Sequence, residues 1–215
     1  DLFVLVEQLC VAHDRTGGRF DPSLHDVMVA AGYDRTYREL PTDRAALQPS
    51  APSRARVRDV RLLPQARVVH APPGMHLDPG GLGKGLAADL VAAEAMGAGA
   101  TGVLVDIGGD LRGEGVAPDG GPWRIDTPSG GRVVLPRGGV ATSSVDARRW
   151  QVAGASVHHL LDPADGRPLV GVSWVTVVAG TAWWAEALTK AVLVSIARGD
   201  GWFDAARADA LGVQV

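Results

Sequence analysis

The stretch Leu77-Asp78-Pro79-Gly80-Gly81-Leu82-Gly83-Lys84-Gly85 combines four glycines with a lysine, where an extended pattern gives way to a helical one. Glycines let backbone amides approach an anion, and a helix N-terminus adds a partial positive charge. Lys84 adds a full charge, so we expect phosphate or pyrophosphate binding here. A glycine turn that only starts a helix would give the same pattern. A nucleotide-hydrolase P-loop is excluded, because its first glycine falls on Asp78 and its Ser/Thr on Gly85.

The segments around this loop alternate between helical and extended patterns. Apolar spacing predicts helices over residues 2–14, 85–96 and 183–197. Strands are predicted at 57–63, 66–70, 103–107, 123–126, 132–135, 140–142 and 172–179. The predicted strands outnumber the predicted helices, and hairpins occur together with helical crossovers. We therefore expect an α+β fold with mixed, largely antiparallel sheets and packed helices. Residues 41–56, rich in Pro, Ser, Arg and Ala, are predicted to be a mobile loop.

Composition narrows the function classes. The chain has 215 residues, 21 basic and 24 acidic side chains and a net charge of −3, which supplies no field for holding nucleic acid. No apolar run approaches the ~18–20 residues that a transmembrane helix needs. The one cysteine, Cys10, excludes an internal disulfide framework. Only two of the basic residues are lysines, Lys84 and Lys190, and such scarcity can mark positions where a compact ammonium is needed.

Two further clusters offer groups for acid–base chemistry or ligand contact. His158 and His159 precede an Asp-Pro turn, and a histidine beside a polyphosphate can serve as a general base. Adjacent strand residues point to opposite faces, so at most one of the pair faces a given site. Thr142 and Ser143 follow a short strand and offer hydroxyls, which serve as ligands or as ordinary turn caps.

A charged pair lies on the last predicted helix. Glu186 and Lys190 are four residues apart, with apolar residues almost all round them. A buried charge must be paired or must coordinate something. The pair is therefore either structural or the charged end of a site.

Taken in order, these segments resemble the FAD:protein FMN transferase (ApbE) family. The resemblance implies one T-fold-like catalytic domain over 1–215, in which the N-terminal part of the family domain is missing. It implies transfer of FMN from FAD to a Thr or Ser hydroxyl of an acceptor protein, with Mg²⁺ bound and AMP released. The blocks that match are residues 17–22, 78–89, 103–111, 141–144 and 159–166, followed by a strand from 172 and Ala185-Glu-Ala-Leu188.

The resemblance also implies roles for individual residues. His159 corresponds to a group that receives or orients the acceptor's proton. The positions implied for the flavin nucleotide are Arg19, Phe20, Asp21, Asp78, Gly80, Gly81, Lys84, Asp89, Thr142 and Ser143, and those implied for the metal are Gly83, Glu186 and Thr189.

The implied metal site departs from the family pattern at two positions. The family's aspartate is Glu186 here, and its threonine ligand falls on Lys190, whose ammonium cannot ligate Mg²⁺. Either Thr189 shifts in as a ligand, or Lys190 replaces the metal's charge beside the pyrophosphate.

These departures keep two other functions open. One is a degenerate relative that binds FAD without transferring FMN, and the other is an FAD pyrophosphatase that uses water in place of the acceptor. The sequence leaves the acceptor and the localisation, cytoplasmic or exported, open.

Overall fold

The computed structural model describes residues 1–41, 43–44, 55–128, 130–206 and 212–214. Most of the predicted mobile loop at 41–56 lies outside these residues. Within them are the helices α1 (Leu2–Arg15), α2 (His25–Ala30), α3 (Gly83–Gly97), α4 (Ala182–Arg198) and α5 (Trp202–Ala206). The strands are β1 (Asp43–Arg44), β2 (Arg61–Leu63), β3 (Val68–His70), β4 (Gly102–Ile107), β5 (Asp110–Gly115), β6 (Trp123–Asp126), β7 (Arg132–Leu135), β8 (Gly138–Ser144), β9 (Arg149–Val152), β10 (Ala155–His158), β11 (Trp174–Ala179) and β12 (Gly212–Gln214).

The main sheet has the strand order β12-β11-β8-β5-β4, and every neighbouring pair in it is antiparallel. Three smaller sheets accompany it: β2-β3, β6-β7 and β1-β9-β10, in which β1 and β9 are parallel. The predicted α+β class with largely antiparallel sheets is confirmed. Because antiparallel neighbours need only short turns, β4 and β5 join through Gly108-Gly109, which both have positive φ.

Helix α4 is the centre of the core and packs on α3, β8 and β11. Its side chains are buried on almost every face from Ala182 to Ser195, as its apolar sequence predicts. Glycines allow this close packing. A Cβ on Gly85 would lie 2.5 Å from the carbonyl oxygen of Ala182, and one on Gly139 would lie 2.2 Å from its Cα. Gly85, in the first turn of α3, is therefore needed for packing as well as for the glycine-rich sequence.

The main apolar cluster joins α1, α3, α4 and β11. Leu9 and Ala12 of α1 contact it on one side, and Leu188 and Val192 of α4 lie at its centre. Phe20, which follows α1 in the chain, also belongs to it. Burying such side chains contributes ~1.5–3 kcal/mol each. This cluster therefore fixes the segment after α1 against the helix that carries Glu186 and Lys190.

One strand prediction is wrong in part, and some strands of the structure were not predicted. Residues Val57–Asp59, predicted as the start of a strand, form a 3₁₀ turn, because the Asp59 carboxylate accepts the Arg56 N–H at 2.7 Å and closes the chain on itself. Strand β5, with two glycines among its six residues, was not predicted. Helices α1, α3 and α4 begin and end within two residues of their predicted bounds. Among the residues described, no helix is long and apolar enough to cross a bilayer.

Candidate functional site

An open cleft lies between the segment that follows α1, the glycine turn and the C-terminal half of α4, and it encloses about 820 Å³ with its mouth. The volume open to water within it is about 150 Å³, less than the ~300–1,000 Å³ typical of ligand pockets, so a larger ligand would extend into the open mouth. It brings together eight of the residues singled out from the sequence, namely Arg19, Phe20, Asp21, Asp78, Gly80, Gly81, His159 and Lys190.

The first wall is formed by three consecutive residues after α1. Phe20 is buried, and its N–H donates to the Thr16 hydroxyl at 3.0 Å. Arg19 pairs with Asp200 at 2.6 Å, and its guanidinium lies 4.9 Å from the centre of the Trp202 ring. The neighbouring Asp21 caps a 3₁₀ turn by accepting the N–H of Ser23 at 2.8 Å. This wall is therefore held in place before any ligand arrives.

The glycine turn forms the adjoining wall. Asp78 accepts the Gly80 N–H at 2.7 Å, and its own N–H donates to the Pro22 carbonyl at 2.8 Å. This last bond ties the glycine turn to the first wall. Gly81 faces the Phe20 ring so closely that a Cβ would lie 2.6 Å from its Cε2. The turn approaches the ring because it has no side chain at this point.

Four charged side chains meet where α3 begins. Lys84 donates to Glu186 Oε1 at 2.8 Å and hydrogen-bonds Asp110, while Lys190 Nζ lies 3.5 Å from the same Oε1. The second oxygen of Glu186 accepts the N–H of Gly85 at 2.8 Å. Two ammonium groups thus face two buried carboxylates, and the cluster is balanced in charge. Asp110, which directly follows Gly108-Gly109, was not predicted as a member.

The pKa directions in this cluster follow from burial and charge. Burial, and next the Glu186 charge, raise the pKa of Asp110 to about 6. Burial would also raise the pKa of Glu186, but Lys190 and Lys84 outweigh it and the pKa lies below its usual value. Burial lowers the pKa of Lys190. The two carboxylates raise the pKa of Lys84 above its usual value against the effect of burial.

His159 and His158 have different environments, as the alternation of strand residues predicts. His158 Nε2 bonds to the Leu169 carbonyl at 2.9 Å, and its Nδ1 accepts the Leu160 N–H at 3.3 Å. His159 lines the cleft, and its buried Nδ1 has no hydrogen-bond partner among the described residues. Burial, with Arg148 and Lys190 nearby, lowers the pKa of His159 to about 4. Its ring is therefore neutral at pH 7.

The predicted hydroxyl residues bond within the protein. Thr189 Oγ1 donates to the Glu186 carbonyl at 2.7 Å and lies 2.6 Å from Ser143 Oγ. Thr142 Oγ1 lies 2.8 Å from the Thr176 hydroxyl, and it lines a second cavity instead of the cleft. Sequence spacing alone did not show the contacts of Thr189 with Ser143 and of Thr142 with Thr176, which join neighbouring elements.

Asp89, predicted to contact a cofactor, lies at the N-terminus of α4. Its carboxylate accepts the N–H groups of Ala182 at 3.0 Å and Trp183 at 2.9 Å, which caps the helix. Arg112, which was not predicted, lies 3.5 Å from Asp89 and donates to the Gly180 carbonyl at 2.7 Å. Strand residues two apart share a face, so Arg112 lies on the same face of β5 as Asp110. This spacing is the sequence pattern from which the position of Arg112 could have been predicted.

The donors around Glu186 do not fit Mg²⁺. This cation needs about six oxygen ligands in a near-octahedral shell. Both Glu186 oxygens already accept hydrogen bonds, and the Thr189 hydroxyl is engaged with Ser143. Lys84 and Lys190 supply positive charge where the cation would lie.

The comparisons with known proteins all point to one family. A family model described as "ApbE family" matches residues 1–211. The chain is 30% identical over 131 residues to the FAD:protein FMN transferases of Vibrio cholerae and of Escherichia coli K12. Each match covers 57% of this chain, and 39% and 37% of those proteins. The match therefore spans well under half of these curated relatives.

Solved structures are similar over more of the chain. The ApbE protein of Thermotoga maritima superposes with a TM-score of 0.80 at 27% identity, covering 99% of this chain and 71% of that one. The apo flavinyl transferase ApbE of Pseudomonas stutzeri gives a TM-score of 0.68 at 26% identity, with 88% and 61% covered. The fold implied by the sequence resemblance is confirmed.

Proposed function

We propose, on the premise that this chain belongs to the ApbE family, that it transfers FMN from FAD to a Thr or Ser hydroxyl of an acceptor protein. AMP is the second product. The proposal extends to this chain what the printed names of its curated relatives, FAD:protein FMN transferase, say of them.

The observation that carries this proposal is the convergence on one cleft of residues from four separate parts of the sequence. Phe20 contributes an aromatic ring to its wall, and the glycine turn contributes backbone without side chains at Gly80 and Gly81. Lys190 adds a cation, and His159 adds a neutral imidazole with a free buried nitrogen. An apolar surface suits a flavin or adenine ring, and a cation beside a glycine turn suits a pyrophosphate.

The proposed chemistry is an in-line displacement at phosphorus. The acceptor oxygen attacks the FMN-side phosphorus, a new P–O bond forms, and the bond to the AMP phosphate breaks. The acceptor's hydroxyl proton passes to the His159 imidazole. A low pKa keeps this ring neutral and able to accept a proton at pH 7.

Positive charge at the pyrophosphate is assigned to Lys190 and not to Mg²⁺. The sequence left two alternatives, Thr189 as a shifted Mg²⁺ ligand or Lys190 as a replacement for the metal's charge. The donor set around Glu186 supports the second, because the Thr189 hydroxyl is engaged and Lys190 Nζ lies 3.5 Å from Glu186 Oε1. Lys190 lines the cleft itself, so its ammonium can face a ligand.

A transfer assay tests the proposal. The protein is incubated with FAD and candidate acceptor proteins bearing a Thr, and products are followed by intact mass and by AMP release. We expect one FMN phosphoester on the acceptor for each AMP formed. A parallel reaction in which the acceptor Thr is replaced by Val serves as the control.

The same assay separates the two alternatives. AMP and FMN released at equal rates with and without an acceptor would identify an FAD pyrophosphatase. Tight FAD binding with neither product across cognate acceptors would identify a binding protein. Either result would overturn the transferase proposal.

A further inference from the structure

Two histidines and an aspartate from separate segments meet beside the cleft. His25 and Asp26 begin α2, and His76 belongs to the loop that leads into the glycine turn. His76 Nδ1 lies 2.8 Å from Asp26 Oδ1, and His25 Nδ1 lies 3.0 Å from the same oxygen. One carboxylate oxygen is thus shared by two imidazoles.

The spacing of these atoms is close to that of a metal shell. All three donor atoms lie within 4.8 Å of one another. Tetrahedral Zn²⁺ has Zn–N and Zn–O bonds of ~2.0–2.2 Å, which puts neighbouring donors roughly 3.3 Å apart. The two Nδ1–Oδ1 distances are therefore only a few tenths of an ångström short of that spacing. The two imidazole donors lie within 4.8 Å of each other and must adjust to the same spacing to bind one ion.

The donor types and their exposure also fit a metal site. Two imidazoles and one carboxylate suit Zn²⁺ and neighbouring transition ions, whereas Mg²⁺ prefers oxygen alone. The side chains of His25 and His76 are 44% and 59% exposed, and Asp26 is 20% exposed. An ion can therefore enter from solvent, and water can complete its shell.

We propose that His25, Asp26 and His76 form a binding site for a transition-metal dication of the Zn²⁺ class. The site is separate from the Glu186 cluster and takes no part in the transfer chemistry. Its position gives it a structural role. Pro22 and Leu24 on one side of it, and Asp78 and Gly80 on the other, all line the cleft.

A bound ion would join these two walls a second time. The protein already joins them through the bond from the Asp78 N–H to the Pro22 carbonyl. An ion held by His25 and His76 would add a strong cross-link a few residues away on both sides. The cleft would then be stiffer in the metal-bound protein.

The test is direct titration of chelator-treated protein with Zn²⁺ by calorimetry, with no flavin present. We expect one Zn²⁺ per chain, and a raised thermal midpoint on binding. Titration with Co²⁺ should give the intense visible absorption of a tetrahedral complex. Both signals should be lost in His25→Asn and in His76→Asn, each of which replaces the imidazole with a smaller uncharged amide.

His70→Asn is the matched control, because His70 is an exposed histidine on β3 outside the cluster. It should bind Zn²⁺ as the unaltered protein does. Circular dichroism without metal checks that each variant is folded, and Asp26→Asn replaces any histidine variant that is not. Absence of stoichiometric binding, or binding that persists in a folded cluster variant, would leave the triad as a hydrogen-bonded surface group and overturn the proposal.

Discussion

Lys190 Nζ lies 3.5 Å from Glu186 Oε1, one turn away on the buried helix α4, and Lys84 bonds the same oxygen at 2.8 Å. One carboxylate therefore faces two ammonium groups at the position where the family resemblance implies a metal. The Glu186 side chain has no exposed surface, so its charge depends on these partners. Removing one of them changes the charge at the end of the cleft.

FAD binding is expected to be independent of Mg²⁺. In EDTA-treated protein, the affinity for FAD measured by flavin fluorescence should stay the same when Mg²⁺ is added back. The reason is that Lys190 and Lys84 already supply two positive charges beside Glu186. Affinity that rises steeply with Mg²⁺ would contradict the assignment to Lys190. Adding Mg²⁺ after EDTA treatment keeps this result separate from any effect of a transition metal at His25 and His76.

Replacing Lys190 should weaken FAD binding. Lys190→Gln removes a charged hydrogen-bond donor worth ~1.5–3 kcal/mol, so we expect a loss of about tenfold to a hundredfold in affinity. Arg167→Gln is the control, because the Arg167 side chain is 84% exposed and lies outside the cleft. Equal affinity in the two variants would remove Lys190 from the binding site.

His159→Asn should slow transfer while leaving FAD binding nearly unchanged. Loss of a positioned general base costs about 10²–10⁴ in rate. The control is His70→Asn on β3, and the readouts are AMP release and flavin fluorescence. A variant that loses FAD affinity in proportion to its rate would show that His159 binds the nucleotide instead.

The acid limb of the transfer rate should lie well below pH 6.5. Burial lowers the pKa of His159 from 6.5 to about 4, so the base is lost only as the pH falls through that lower value. The profile of kcat/KM reports the free enzyme, and His159 itself should cause no fall in it from neutral pH down to about 5. Asp110, whose pKa is raised to about 6, also titrates in this range, so a decline centred near pH 6.5 that persists in Asp110→Asn would contradict this assignment.

Gly81→Ala should disturb the cleft through Phe20. The new methyl would lie 2.6 Å from the Phe20 ring, which is buried and has to move. Overpacking of this kind costs ~1–3 kcal/mol, and we expect lower stability in urea together with weaker FAD binding. Gly97→Ala is the control, because nothing lies within 4 Å of its Cβ position. Normal FAD affinity in Gly81→Ala would show that the ring is not part of the binding surface.

Asp89→Ala should destabilise the fold. It removes the cap from the first two N–H groups of α4, which costs about 1–2 kcal/mol. Urea unfolding measures the change, and Asp126→Ala on an exposed hairpin is the control. If FAD affinity fell while stability did not, the cofactor contact implied by the family resemblance would be the better account of Asp89.

The sequence predicted the fold best where side chains repeat along one element. Helices α1, α3 and α4 carry apolar residues at helical spacing, and their bounds were accurate to within two residues. The segment 57–63 failed because Asp59 turns the backbone through a side-chain bond, which an alternating apolar pattern does not reveal. Strand β5 was missed because its glycines and charges hide the pattern that its neighbours complete.

The candidate site was predictable as a set of residues but not as a set of contacts. Spacing placed Lys190 one helical turn from Glu186, and the structure has them 3.5 Å apart. That Lys84 reaches Glu186 across 102 residues, or that Arg19 pairs with Asp200 across 181, depends on how the elements pack. The place of Asp110 in the charged cluster likewise depends on how the elements pack.

The two lysines also give this protein a chemical handle. Because the other 19 of the 21 Lys and Arg side chains are arginines, both primary-amine side chains of this chain lie in the charged cluster. Lys84 is the more exposed of the two, at 36% against 20%. Lys190 has the lowered pKa, which makes its amine the better nucleophile. Peptide mapping after brief acylation, with and without bound nucleotide, would therefore footprint the cleft in the unaltered protein.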